Sequence, residues 1–152
     1  MRIRAGIVLI QNGKVALIER YRAGVHYYSF PGGGVDEGES PEQAAVREAM
    51  EELGIEVTIK QKIANVQVGY KSRQFYFLVE QTGGEFGTGT GEEFESSNLD
   101  NPQKGRYIPI WMPIEELSHH ANVYPVEVAR LVVKSMKEGW PHGPALTLEE
   151  PK

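Results

Sequence analysis

Cysteine is absent from the 152 residues, which excludes disulfide frameworks, zinc fingers, thiolate metal sites and cysteine nucleophiles together. Any bound metal is therefore held by oxygen or imidazole. Basic residues are the minority charge, 16 Lys and Arg against 21 Asp and Glu for a formal −5, which argues against bulk nucleic acid as a partner, because such affinity rests on basic side chains meeting phosphates. Long apolar runs are missing too. Nothing approaches the ~20 residues of a membrane span, and Gly6 to Ile10 is shorter than the roughly 7–15 residues of a secretory h-region. The expectation is a cytoplasmic protein with no membrane partner. No repeat, linker or composition break divides the chain, so a single domain over residues 1–152 is expected, large enough to bury roughly 68–70 % of its accessible surface. Monomer and homodimer are both left open.

Apolar runs at Ile7 to Ile10 and Val15 to Ile18 flank Gln11-Asn12-Gly13-Lys14, and Asn-Gly is a preferred centre of a tight hairpin turn. A short strand is expected at His26 to Phe30, stopped by Pro31-Gly32-Gly33-Gly34. Ser40, Pro41 and Gln43 form a capping-box start, so a helix should run from Pro41 to about Leu53 and stop at Gly54. Val57 to Tyr70 and Arg73 to Glu80 read as two strands joined near Lys71-Ser72. Gln81 to Asn101 reads as a loop, with five Gly between 83 and 91 followed by Glu92, Glu93 and Glu95. Tyr107 to Trp111 is a strand, Ile114 to Leu117 a helical turn and Val126 to Lys137 an amphipathic helix, and 141–152 is expected to be a flexible tail.

The helix from Pro41 carries the most information. At about 100° per residue, setting Glu48 at 0° puts Glu51 near ~300° and Glu52 near ~40°, so three carboxylates share one sector. Ala49, Leu53, Val46 and Met50 fall across from it, the face that a sheet should bury. Like charges at these spacings destabilise a helix, and the C-terminal half of the dipole disfavours anions as well. At ~6 Å and an effective dielectric of about 20, each pair repels by up to roughly 3 kcal/mol. Divalent cations resolve the conflict, and an all-oxygen set selects Mg²⁺, with Mn²⁺ as a substitute. Mg²⁺ is commonly shared with substrate phosphates, so the implied substrate carries a polyphosphate. The glycine run fits, since it permits φ > 0 and close backbone approach to metal or phosphate.

Read as spacing, Gly33, Glu39, Arg47-Glu48, Ala49, Glu51-Glu52, Gly54 and Ile55 fit GX5EX7REUXEEXGU, where U is apolar. This pattern resembles the signature box of the Nudix hydrolases. Every position matches, with Ala49 smaller than the usual aliphatic, and a chance match is on the order of one in a billion per start position from average residue frequencies. The resemblance implies an α/β/α sandwich with a mixed sheet, hydrolysing a nucleoside diphosphate linked to another moiety. It also implies roles. Glu48, Glu51 and Glu52 would be metal ligands, one doubling as general base, with the carbonyl of Gly32 adding a ligand. Arg47 would orient the carboxylates, and Glu39 would brace the loop through Arg47. Similar proteins take a further carboxylate from a later loop, here Glu93 in preference to Glu92.

Substrate recognition is less constrained. Gly33 and Gly34 offer N–H groups to phosphate oxygens, Arg20, Arg22 and Arg73 are candidates for distal phosphates, and Tyr21, Tyr27, Tyr28, Phe75 and Tyr76 are candidates for stacking on a base. The four His lack metal-ligand spacing. The partner expected is thus a small nucleotide. The alternative reading is a non-catalytic module that senses a nucleotide without cleaving it, which the intact Glu48, Glu51 and Glu52 set disfavours.

Overall fold

The computed structural model describes residues 2–88 and 106–150. Asn12 and Gly13 both adopt positive φ, 53° and 75°, as a tight hairpin turn requires, and join β1 (Arg2–Gln11) to β2 (Lys14–Arg22). The two strands pair only at Ile10↔Val15 and Gln11↔Lys14 before they part. β3 (Val25–Ser29) and β4 (Gly32–Gly34) fill the opening: β3 pairs with β2 from Ile18 to Arg22, and β4 pairs with β1 from Arg4 to Gly6. The hairpin is central in the sheet, but it works as a wedge rather than as a continuous ribbon.

β5 (Ile55–Val68) and β6 (Ser72–Gly84) are antiparallel, β5 starting and ending two residues earlier than the sequence suggests and β6 running longer, and β6 is parallel to β1. The glycine-rich segment therefore begins inside a strand, where Gly83 and Gly84 pair with Glu56 and Ile55. β7 (Arg106–Pro113) lies along β2, and β8 (Val123–Tyr124) adds to β3. The end expected to be a flexible tail carries β9 (Leu146–Glu149), parallel to β5. Among the described residues the sheet has nine strands in the order β8-β3-β2-β1-β6-β5-β9, with β4 on β1 and β7 on β2.

Two helices cover this mixed sheet. α1 (Pro41–Leu53) has the full capping box, with Gln43 N donating to Ser40 Oγ at 3.1 Å and Ser40 N to Gln43 Oε1 at 2.9 Å, and it ends on Gly54 at φ 76°. Below it lie Ala5, Ile7 and Leu9 of β1, Ile18 of β2 and Phe77 of β6. α2 (Val126–Glu138) packs on the other face, with Val8, Leu17, Ile63 and Val66. The alternation of Ile7 and Leu9 against Val8 shows β1 buried on both faces. Pro125 has no side chain to cap α2. Glu150 does so from beyond β9, accepting from Val126 N at 2.6 Å and Glu127 N at 3.0 Å. Among the described residues no helix is long and apolar enough to cross a membrane.

Candidate active site

Strand β4 explains the glycine run, though not through the φ > 0 expected of it. Gly32, Gly33 and Gly34 are not among the glycines with positive φ. Gly32 and Gly33 lack room, whereas Gly34 has open space around it. A Cβ on Gly32 would collide with the Ala5 backbone, and one on Gly33 would collide with the Glu48 carboxylate. Ile7 N donates to Pro31 O at 2.9 Å and Val35 N to Ile3 O at 3.0 Å, which hold the strip against β1.

The helix above is rotated from the orientation its apolar residues suggest. Val46 and Met50 are 39 % and 38 % exposed, whereas Ala44, Ala45, Glu48, Ala49, Glu52 and Leu53 are buried. The three alanines bring α1 close to β1 and β4, and two carboxylates ride inward on the same face. Glu48 and Glu52 are only 8 % and 6 % exposed. A buried carboxylate costs several kcal/mol unless paired, so the site is built for anions at the expense of covering Val46 and Met50.

Arg47 supplies much of the pairing. Its Nε and Nη2 donate to the two oxygens of Glu39 at 2.9 and 3.0 Å. Nη1 is shared between Glu48 Oε1 at 2.8 Å and Glu51 Oε2 at 2.9 Å, and Nη2 also reaches Gly34 O at 2.9 Å. Glu39 in turn accepts from Asp36 N at 3.0 Å. The hydrogen bonds from Arg47, and then from Asp36 N, hold the Glu39 carboxyl below its ordinary range, and Glu39 is the main reason that Arg47 is raised above its own. One guanidinium thus ties loop, strand and helix together.

Gly32 N points at both oxygens of Glu52, 3.4 Å from each, and Gly32 O faces Arg4 Nη2 at 3.5 Å. Among the described residues no three carboxylates or imidazoles already converge tightly enough to hold an ion. The reason is visible in the Arg47 contacts, since the half-exposed Glu51 leans on Nη1 rather than towards Glu52. The oxygen-only donor set, with two members buried, fits a hard divalent ion.

Beside this strip, where β1 and β2 diverge, lies a cleft of about 620 Å³ bounded by Arg4, Arg20, Tyr27, Gln74, Tyr124 and Glu150 among others. Of the arginines anticipated for substrate, only Arg20 reaches it. Arg22 is exposed at the end of β2, and Arg73 is exposed at the start of β6. Arg4 was missed, because its place opposite Gly34 follows only once β4 is paired with β1. Of the aromatic candidates, Tyr27 lines the cleft, while Tyr76 is buried beneath it with its hydroxyl on Gln74 Oε1 at 2.8 Å and its phenol raised above the ordinary range by burial. Phe75 packs on the α1 side. Tyr21 stacks on His26, whose Nε2 is 2.8 Å from Glu19. Glu92 and Glu93 lie outside the described residues.

The NUDIX domain family model matches residues 1–130. Several curated relatives, all RNA pyrophosphohydrolases, align through only 55 residues, about 31 % of their own length. An RNA pyrophosphohydrolase of Tolumonas auensis is 30 % identical over 176 aligned positions, covering 99 % of this chain and 93 % of the relative. A putative 8-oxo-dGTP diphosphatase of Bacillus subtilis is 36 % identical over 107, covering 70 % and 68 %. Among solved structures, a NUDIX hydrolase from Nitrosomonas europaea superposes with a TM-score of 0.70 at 16 % identity, covering 98 % of this chain and 79 % of that one. The relative from Tolumonas auensis is named for RNA, so nucleic acid is not excluded from this group of proteins.

Proposed function

The chain belongs to the Nudix hydrolase family, and from that premise we propose that it hydrolyses the pyrophosphate linkage of a nucleoside diphosphate joined to a further group, with Mg²⁺ as cofactor and Mn²⁺ as substitute. The observation that carries this reading is the inward turn of Glu48 and Glu52 against Gly32 and Gly33, where a side chain would meet the Ala5 backbone or the Glu48 carboxylate itself. A structural helix would bury Val46 and Met50 there instead.

In this scheme Glu48, Glu51 and Glu52 hold the ions, with the carbonyl of Gly32 completing the set. Bound Mg²⁺ supplies charge neutralisation on the phosphate oxygens and lowers the pKa of the attacking water. The chain's own groups do the rest. Arg47 keeps Glu48 and Glu51 oriented, and Glu39 fixes Arg47, so both are positioning residues. The N–H of Gly34 and the guanidinium of Arg4 would meet phosphate oxygens, whereas the N–H of Gly33, expected for the same task, faces Ala5 in the β1–β4 ladder. Arg22 and Arg73 contribute only if a substrate extends beyond it, and Glu93 is retained as a further ligand or base. Water adds to one phosphorus while the bridging P–O bond breaks and its oxygen leaves on the other phosphoryl group. A substrate bound by its polyphosphate end needs no basic groove, so a 5′-terminal RNA phosphate is compatible with a net charge of −5.

The test is product release from nucleoside triphosphates, sugar nucleotides, dinucleoside polyphosphates and a 5′-triphosphorylated RNA, with and without Mg²⁺. Cleavage of at least one substrate that stops on chelation is expected. Tight binding with no cleavage of any of them would replace the enzyme by a nucleotide sensor.

A further inference from the structure

Within the cleft, one group is left without the partners its chemistry calls for. Arg20 Nε and Nη2 are shut off from water and have no hydrogen-bond acceptor among the described residues. The guanidinium lies over the Tyr107 ring, 3.6 Å from its centroid, with Tyr27 on another side at 5.5 Å and Tyr124 edge-on to Tyr27 at 6.0 Å. Stacking satisfies the faces of the guanidinium but not its N–H edge.

Nε and Nη2 are adjacent donors on one edge of a rigid fork, so they fit two acceptors side by side. A phosphate, a carboxylate and the O6/N7 edge of guanine all present such a pair. The surroundings choose among them. The walls nearest Arg20 are aromatic, whereas Arg4, which suits phosphate, stands against β4 with its Nη2 3.5 Å from Gly32 O. Tyr27 and Gly32 are separated by five residues of chain, at most roughly 16 Å when extended, which leaves room for a sugar between a base at one end and phosphates at the other.

We propose that Arg20 reads the O6/N7 edge of a guanine, and so makes this protein selective for guanine nucleotides. The proposal rests on the nucleotide-hydrolase reading for the placement of the phosphates. On binding, the guanidinium swings off Tyr107 and the base takes its place beside Tyr27. Adenine offers N7 but puts an amino donor where O6 stands, so one N–H of the fork meets another donor. 8-Oxoguanine is rejected as well, since its N7 carries a proton. The structure thus separates this chain from what the name of the Bacillus subtilis relative says that protein acts on.

Calorimetric titration of the intact protein in EDTA compares GDP, IDP, ADP, 7-deaza-GDP and 8-oxo-GDP, and kcat/KM is then measured for the corresponding triphosphates with Mg²⁺. GDP and IDP should bind about 10–100-fold more tightly than ADP, the discrimination typical of one bidentate base contact. 7-Deaza-GDP and 8-oxo-GDP should fall towards ADP. Arg20→Gln should bring the GDP to ADP ratio near one, and Arg20→Lys should not restore it, because lysine lacks the fork. Should either variant fail to fold, the 7-deaza and 8-oxo comparisons on the unaltered protein decide alone. Equal values for GDP, ADP and 7-deaza-GDP in both assays, tighter binding of 8-oxo-GDP, or an equal loss for GDP and ADP in Arg20→Gln would overturn the proposal, the last by assigning Arg20 to a phosphate. A guanine preference in EDTA without any cleavage would sink the catalytic reading and leave this one standing. Equal cleavage of GTP and ATP together with equal binding of GDP and ADP would do the reverse.

Discussion

α1 and α2 are both 13 residues long and cover opposite faces of the same sheet, yet they spend their inner faces differently. α2 buries Val128, Leu131 and Val132, three of the four residues of its amphipathic pattern, with Ala129 and Ser135, and leaves the fourth, Met136, exposed. α1 buries three alanines, one leucine and two glutamates, and leaves Val46 and Met50 partly in water. By area alone α1 is badly oriented, because a buried Val or Met side chain contributes roughly 1.5–3 kcal/mol and a buried carboxylate costs energy. The comparison separates a helix selected for packing from one selected for what its carboxylates face.

The sharpest way to break that contrast is to neutralise one inward glutamate. Glu52→Gln should lower kcat by at least about 10²-fold, as loss of a group that acts on transition-state charge does, while the thermal midpoint stays level or rises because a buried charge has gone. Phosphate release at limiting Mg²⁺ checks the first, and a melting curve checks the second. Full turnover with a fallen midpoint would make α1 a structural helix after all. Leu131→Ala on α2 is the mirror experiment. It should cost about 2–5 kcal/mol, measured by urea unfolding, with kcat per folded molecule unchanged.

The two helices were also unequally legible. Both ends of α1 follow from Ser40, Pro41, Gln43 and Gly54, because capping is a local matter. The rotation of α1 does not, because helical periodicity registers apolar residues and here the buried face is defined by Ala44, Ala45 and Ala49 fitting against a backbone strip. The carboxylate stripe and its arginine were readable from spacing. What Arg47 does was readable only from the resemblance, and Arg4 was not seen because it belongs to the site through the pairing of β1 with β4, partners 26 to 30 positions apart. The same holds for β9 and for Glu150 at the start of α2. Pro125 gives no sign that a carboxylate 25 positions later will cap the helix. Local signals gave the elements, and the long-range pairings that build the cleft lay beyond them.

A smaller effect tests whether the Glu39–Arg47 bracket belongs to the chemistry of α1 or to its stability. Glu39 is held below its ordinary carboxyl range in the folded protein by Arg47 and Asp36 N. A group depressed on folding contributes stability that is fully present above its unfolded value, 4.5 here, and that is lost as pH falls through the folded value. The midpoint difference between the unaltered protein and Glu39→Gln should therefore be constant from pH 7 down to about pH 5 and shrink below that. An ion pair of under ~1 kcal/mol corresponds to a shift of no more than about 4 °C for a chain of this size. If the bracket also positions Glu48 and Glu51, kcat at pH 7 should drop by more than that small stability loss explains, with KM little changed. A variant that loses its few degrees and keeps its turnover would assign Glu39 to holding the loop alone, and would leave Arg47 to orient the carboxylates through its contact with Gly34 O.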